Sequence, residues 1–163
     1  MPTEPTRIYW DSCVYISCIE ETPGRFPVLS SLIELAKKGE IVFVASAFVI
    51  AEVTKLDRPD LTSKEQAQRI RDFFENDYIK VRGVDRRTSE EAAEISRIYG
   101  LKPPDAVHVA TAIRWRCASF QTYDGEKGGS TKLLAFNGKI GQPPLTIELP
   151  TAPQTQGTLF QSS

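Results

Sequence analysis

A single histidine and three cysteines among 163 residues leave no set of zinc ligands, and no pair among Cys13, Cys18 and Cys117 has zinc-finger spacing. Three cysteines in so ordinary a composition also make no disulfide scaffold. They read as reduced thiols, and the cytoplasm is the expected compartment. No apolar run reaches 18 residues, which excludes a membrane-spanning helix, and no membrane partner is expected. The first six residues, Met1-Pro2-Thr3-Glu4-Pro5-Thr6, carry neither the basic nor the apolar region of a signal peptide. Charge of one sign is also scarce: 20 Lys and Arg against 21 Asp and Glu leave a net charge of −1. A generic DNA-coating protein would be basic. A nucleic-acid enzyme stays open, because an acidic metal site and a basic rim cancel in the sum. The charges are in fact uneven. From Arg114 to Lys139, five basic residues (Arg114, Arg116, Lys127, Lys132, Lys139) stand against two acids (Asp124, Glu126).

The length suits one domain, able to bury about 68–70% of its unfolded surface. Arg7-Ile8-Tyr9-Trp10 reads as a strand ending at Asp11, with Val14 to Ile19 as an apolar continuation. Val28, Leu29, Leu32, Ile33, Leu35 and Ala36 repeat at helical spacing, and Lys37-Lys38-Gly39 supplies a stop. Ile41-Val42-Phe43-Val44 is a continuous β-branched and aromatic run, the mark of a strand buried on both faces. Ser46 caps a helix expected to run through Phe48, Val49, Glu52, Val53 and Leu56. Thr62 with Glu65, and Thr88 with Glu91, have capping-box spacing and open helices ending near Asn76 and at Gly100. Tyr78 to Val84 is a less buried strand. Pro103-Pro104-Asp105 starts a helix, Ala106 to Trp115, apolar nearly all round. Ala118 to Tyr123 and Leu145 to Leu149 are the last strands. Strands alternating with helices imply an α/β fold with a mainly parallel sheet of about five strands. The expected boundaries are a flexible N-terminus over 1–6, one domain over 7–149, and a flexible tail over 150–163, where little is available to bury.

Ligands of open parallel sheets bind at the carboxyl ends of the strands. Asp11 and Asp124 both fall there, and the loop before Asp105 can reach the same edge. Each taken alone has a plainer role: a strand-end Asp forms turns, and a helix-start Asp caps. Glu52 lies among Phe48, Val49, Ala51 and Val53 with no basic residue on its face within a turn. A lone carboxylate there costs several kcal/mol unless it pairs or protonates. It faces an acidic cleft, lies on an exposed stripe, or pairs with a distant arginine. Carboxylates sharing one cleft repel, by on the order of 4 kcal/mol per pair at about 4 Å and an effective dielectric near 20. Such a cluster makes sense around a cation. Oxygen donors without His or Cys select Mg²⁺ or Mn²⁺, ions that activate water in phosphodiester hydrolysis.

Four stretches resemble the PIN-domain nucleases, in particular the single-domain VapC-type ribonuclease toxins. Ile8-Tyr9-Trp10-Asp11-Ser12-Cys13-Val14 is similar to the family's first strand, which ends in Asp and a small hydroxylated residue. The segment from Ala45 through Ser46 to Glu52 and Val53 resembles its Ser-to-Glu helix. Pro104-Asp105-Ala106-Val107-His108-Val109-Ala110-Thr111-Ala112 matches its Asp-Ala-X-X-X-Ala-X-Ala helix, and Phe120-Gln121-Thr122-Tyr123-Asp124 its fourth strand. The resemblance implies a three-layer α/β/α sandwich and Mg²⁺- or Mn²⁺-dependent cleavage of RNA as the toxin of a toxin–antitoxin pair. It also implies a small antitoxin partner and a homodimer. It assigns Asp11, Glu52, Asp105 and Asp124 to a catalytic metal cluster, with Ser12 and Thr122 as hydroxyls orienting carboxylates and water. One position departs: the family often has Asn or Ser where this chain has Cys13, and a thiol is a weak hydrogen-bond partner.

Other residues have plainer readings. Glu126 either supplements Asp124 or is a solvated loop acid. His108, one turn after Asp105, either sits near the cleft or is a packed, hydrogen-bonded core group, and is not named catalytic. Trp10 and Trp115 are core or interface aromatics. Arg86, Arg87, Lys127 and Lys132 either solubilise or meet phosphates. The competing function is a catalytically inactive PIN-like module that binds RNA or protein. A receiver-type or phosphatase domain ranks last, because the acidic pair and the lysine that a receiver needs are missing.

Overall fold

The Ile41-Val42-Phe43-Val44 run lies inside a strand buried along its whole length, as its composition requires. The computed structural model describes residues 3–153. Its strands are β1 (Thr6–Trp10), β2 (Ile41–Ser46), β3 (Ile79–Arg82), β4 (Ser119–Gln121) and β5 (Ile147–Glu148). They form one sheet in the order β3-β2-β1-β4-β5, every neighbouring pair parallel. The helices are α1 (Ser12–Ile19), α2 (Phe26–Lys37), α3 (Ala47–Glu52), α4 (Ser63–Phe74), α5 (Arg86–Tyr99) and α6 (Pro103–Arg114). One layer has α1 packed on α2, α3 and α4, and α2 on β2; the other has α5 on α6, and α6 over β2 and β4. This is the three-layer α/β/α arrangement. Trp10, Tyr9, Tyr15, Phe43 and Phe120 are the largest wholly buried side chains and fill the centre.

Several boundaries differ from the sequence reading. The apolar stretch after Asp11 is helix α1, not strand continuation. Val53, at φ −91° and ψ 81°, ends α3 at Glu52, so Leu56 lies beyond the helix, its amide bonded to Gln66 Oε1 at 3.0 Å. The Thr62–Glu65 capping box is formed. The Thr88–Glu91 box is not: Asp85 caps α5 one turn earlier by accepting from the Thr88 amide at 2.9 Å, and Glu91 pairs with Arg87 instead. Gly100 closes α5 at φ +74°, a left-handed conformation that glycine adopts at little cost. β4 stops at Gln121 and β5 has two residues, both shorter than expected. At the margins, Thr6 already belongs to β1, and the Thr151 carbonyl accepts from Gln121 Nε2 at 2.7 Å. Of the two expected flexible segments, residues 1–2 and 154–163 lie outside the described residues.

Candidate active site

The chain leaves β1 to one side, through α1 and α2 to β2, and returns on the other side as β4. That reversal is the topological switch point, and ligands of such sheets bind there, at the carboxyl ends of β1 and β4. Asp11 follows β1 directly. It holds the N-cap position of α1, yet its side chain makes no cap hydrogen bond. The carboxylate instead accepts from Cys13 Sγ at 2.7 Å on Oδ1 and from Thr122 Oγ1 at 2.6 Å on Oδ2. It is only 6% exposed. Burial pushes its pKa above the ordinary 3.8, against the pull of the two hydrogen bonds. Cys13 thus performs the orienting role expected of Ser12, whose hydroxyl bonds no carboxylate among the described residues. The Cys13 thiol is pushed far up by burial first and by Asp11 second, so it stays protonated and able to donate.

Asp105 sits in the first turn of α6, whose N-cap residue is Lys102, so it does not act as the cap residue. Among the described residues its carboxylate has neither a hydrogen-bond donor nor a cationic partner. Its pKa is raised, by partial burial and then by the charge of Asp124, with Asp11 and Glu52 adding to the effect and His108 opposing it. Four elements therefore bring Asp11, Glu52 and Asp124 within electrostatic reach of Asp105. They do not close a cage: among the described residues, no three acidic, histidine or cysteine side chains meet as a metal-holding group. The donor set still suits a small hard cation, since Mg²⁺ takes one or two carboxylates directly and keeps much of its water.

Glu52 is the last residue of α3. Of its three readings, pairing with a distant arginine is not found among the described residues; its Oε1 lies 2.6 Å from Nε2 of His108, and Oε2 is unbonded among those residues. His108 is 1% exposed, and its Nδ1 lies 2.6 Å from the Tyr9 hydroxyl. His108 is packed in the core, and from its place one turn after Asp105 it also reaches an acid, Glu52.

Asp124 is more engaged than a strand-end ligand needs to be. Its Oδ2 accepts from the Leu133 amide at 2.9 Å, at the start of a 3-10 turn (Leu133–Phe136). Lys132 Nζ stands 3.9 Å from Oδ1. Gly125 makes this fold-back feasible: it has φ +102°, and a Cβ there would lie 2.8 Å from that of Lys132. Glu126 pairs with Arg25, which also bonds Ser17 Oγ at 3.0 Å and lies over the Tyr123 ring. Arg86 and Arg87 pair with Glu90 and Glu91 along α5. Trp10 is core, and half-buried Trp115 carries the Arg82 guanidinium 4.1 Å from its ring centre. The three cysteines are free thiols.

Known proteins show what the arrangement is similar to. The fold superposes on Mycobacterium tuberculosis VapC20, a Sarcin-Ricin loop cleaving toxin, with TM-score 0.58 and 17% identity, over 73% of this chain and 91% of that one. It also superposes on a chain of VapBC2 from Rickettsia felis, solved bound to a DNA fragment from its promoter, with TM-score 0.56 and 15% identity, over 88% of this chain and 98% of that one. No curated protein matches the chain. The PIN domain family model matches residues 8–126, which takes in Asp11, Glu52, Asp105 and Asp124. The chain belongs to the PIN domain family.

Proposed function

We propose that the protein is a Mg²⁺- or Mn²⁺-dependent endoribonuclease, the toxin of a toxin–antitoxin pair, acting in the cytoplasm as a homodimer held in check by a small antitoxin. The observation that carries the reading is Asp105: a half-buried carboxylate with neither donor nor cationic partner among the described residues, its pKa raised by burial and then by three acids from other elements. Folding spends stability on that repulsion, which a bound cation would relieve. Asp11, Asp105, Glu52 and Asp124 would hold the ion or pair of ions. When bound, such an ion lowers the pKa of water and stabilises the leaving oxygen of a phosphodiester.

The chain's own residues do the rest. Cys13 and Thr122 fix Asp11 by one bond to each oxygen, leaving each oxygen a free lone pair. Thr122 also accepts from the Asp124 amide at 3.0 Å, tying the two acids through one hydroxyl. Asp105, free to titrate or ligate, is the group that responds to what binds at this edge of the sheet. RNA is favoured as substrate by the structural likeness to VapC20, and the antitoxin partner by that to VapBC2.

The test is cleavage of mixed tRNA and ribosomal RNA by wild type and Asp105→Asn, with Mg²⁺, Mn²⁺ or EDTA. Metal-dependent fragments from wild type only, with both proteins folded, are expected. Equal cleavage by the variant, or cleavage that survives EDTA, would sink the reading. RNA binding without cleavage under any condition would favour the inactive module.

A further inference from the structure

The buried line Ser46–Tyr9–His108–Glu52 crosses from the start of α3, through β1 and α6, to the end of α3. Its direction is fixed at one end. The Ser46 amide can only donate, and it lies 3.2 Å from the Tyr9 hydroxyl oxygen. The Tyr9 oxygen accepts there, and among the described residues its O–H has one acceptor in reach, His108 Nδ1 at 2.6 Å. An imidazole that accepts at Nδ1 carries its proton on Nε2, and that proton meets Glu52 Oε1. Every polar atom of the buried ring is then satisfied, with the Tyr9 O–H and the Glu52 carboxylate both calling for the proton on Nε2. The histidine is wholly buried while Glu52 is partly exposed, so the ring is the anchor and the carboxylate is what it holds.

The same line solves a local problem. Glu52 ends α3, where the helix carbonyls already present negative charge, so its carboxylate has no favourable place in its own helix. A six-residue helix cannot itself fix a side chain at its last position. Ser46 steadies the other end, its Oγ accepting from the Phe48 amide at 3.1 Å. Both ends of α3 are thus tied to one network.

We infer that His108 is a positioning residue: its Nε2–H holds one oxygen of Glu52 and leaves the other for a divalent cation, with Tyr9 fixing the tautomer that makes this possible. This rests on the reading of Glu52 as part of a cation site. Groups that orient ligands in this way are worth about 10–100-fold in metal affinity when removed.

The experiment is titration of the full chain with Mn²⁺ by calorimetry, with folding of each variant checked by circular dichroism. Glu52→Gln and His108→Ala are each expected to weaken Mn²⁺ binding by about 10–100-fold, and the double variant to be no weaker than Glu52→Gln. His108→Gln, which restores an N–H at the Nε2 position, should recover most of the loss. Tyr9→Phe should weaken binding by a smaller factor, because the ring is then free to take the other tautomer. If Glu52→Gln binds Mn²⁺ as wild type does, Glu52 is no part of the cation site and the underlying reading fails. If Glu52→Gln is impaired while folded His108→Ala and Tyr9→Phe bind as wild type, the positioning role alone is overturned, and any loss of melting temperature in them is purely structural. Should His108→Ala not fold, Tyr9→Phe decides: undiminished binding refutes the inference.

Discussion

Replacing Thr122 by valine keeps the shape of a wholly buried side chain and removes one hydroxyl. That hydroxyl donates to Asp11 Oδ2 at 2.6 Å and accepts from the Asp124 amide at 3.0 Å. A hydrogen bond to a charged group is worth about 1.5–3 kcal/mol, and a neutral one about 1 kcal/mol. The expected loss is therefore about 3 kcal/mol, or about 6–12 °C in melting temperature for a chain of this size. Thr122→Ser keeps the hydroxyl and loses one methyl, for about 1 kcal/mol. The assay is urea unfolding in EDTA, followed by tryptophan fluorescence, since Trp10 is fully buried. The pH dependence supplies a second check. Asp11 has a folded pKa above its unfolded value, so its ionised form weakens the fold at neutral pH, and stability is regained as pH falls through the folded pKa. Loss of the Thr122 hydroxyl raises that pKa further, so the valine deficit shrinks as pH falls toward the ordinary carboxylate range. A valine variant as stable as the serine variant at pH 7, or a deficit that grows on acidification, would refute the reasoning.

Cys13→Ala is expected to cost about 1–2 kcal/mol and Cys13→Ser less than 1 kcal/mol by urea unfolding, because serine keeps a donor to Asp11; equal losses would show that the thiol contributes no bond. Asp85→Ala should lower the melting temperature at neutral pH by removing the α5 cap and the Arg114 partner. The folded pKa of Asp85 lies below 3.8, lowered mainly by its bonds from Thr88, so this contribution is present above that value and lost as pH falls below it. Melting of both proteins from pH 7 to pH 3 checks this, and a gap that persists unchanged at pH 3 would contradict it.

The parallel sheet was readable because Ile41 to Val44 can be nothing but a strand covered on both faces, and because caps and glycines punctuate the helices between strands. Asp11 and Asp124 were readable as residues at the carboxyl edge, since an error of two residues in where β4 stops still leaves the acid just beyond the strand. What they bond to was not. Thr88 precedes Glu91 by the right interval for a capping box, but Asp85 competes from three residues upstream and wins with a stronger acceptor. The exchange of Ser12 for Cys13 as the Asp11 donor depends on the first turn of α1, which the apolar run from Val14 to Ile19 disguised as a continuation of the strand. The His108–Glu52 contact joins two helices 56 positions apart and has no local signature.

During synthesis the two partners of the Asp11–Thr122 hydrogen bond are made 111 residues apart. Until β4 has been translated and released, β1 has a neighbour on one edge only, and Asp11 lacks the hydroxyl that steadies it. Asp105 and Asp124 are likewise encoded in the last third of the domain. For a protein proposed to cut RNA, this ordering matters: the site is incomplete while most of the nascent chain is still being made by an RNA machine. A truncated product of interrupted translation, ending before α6, would carry Asp11 and Glu52 but neither Asp105 nor Asp124, half of the proposed set of acids.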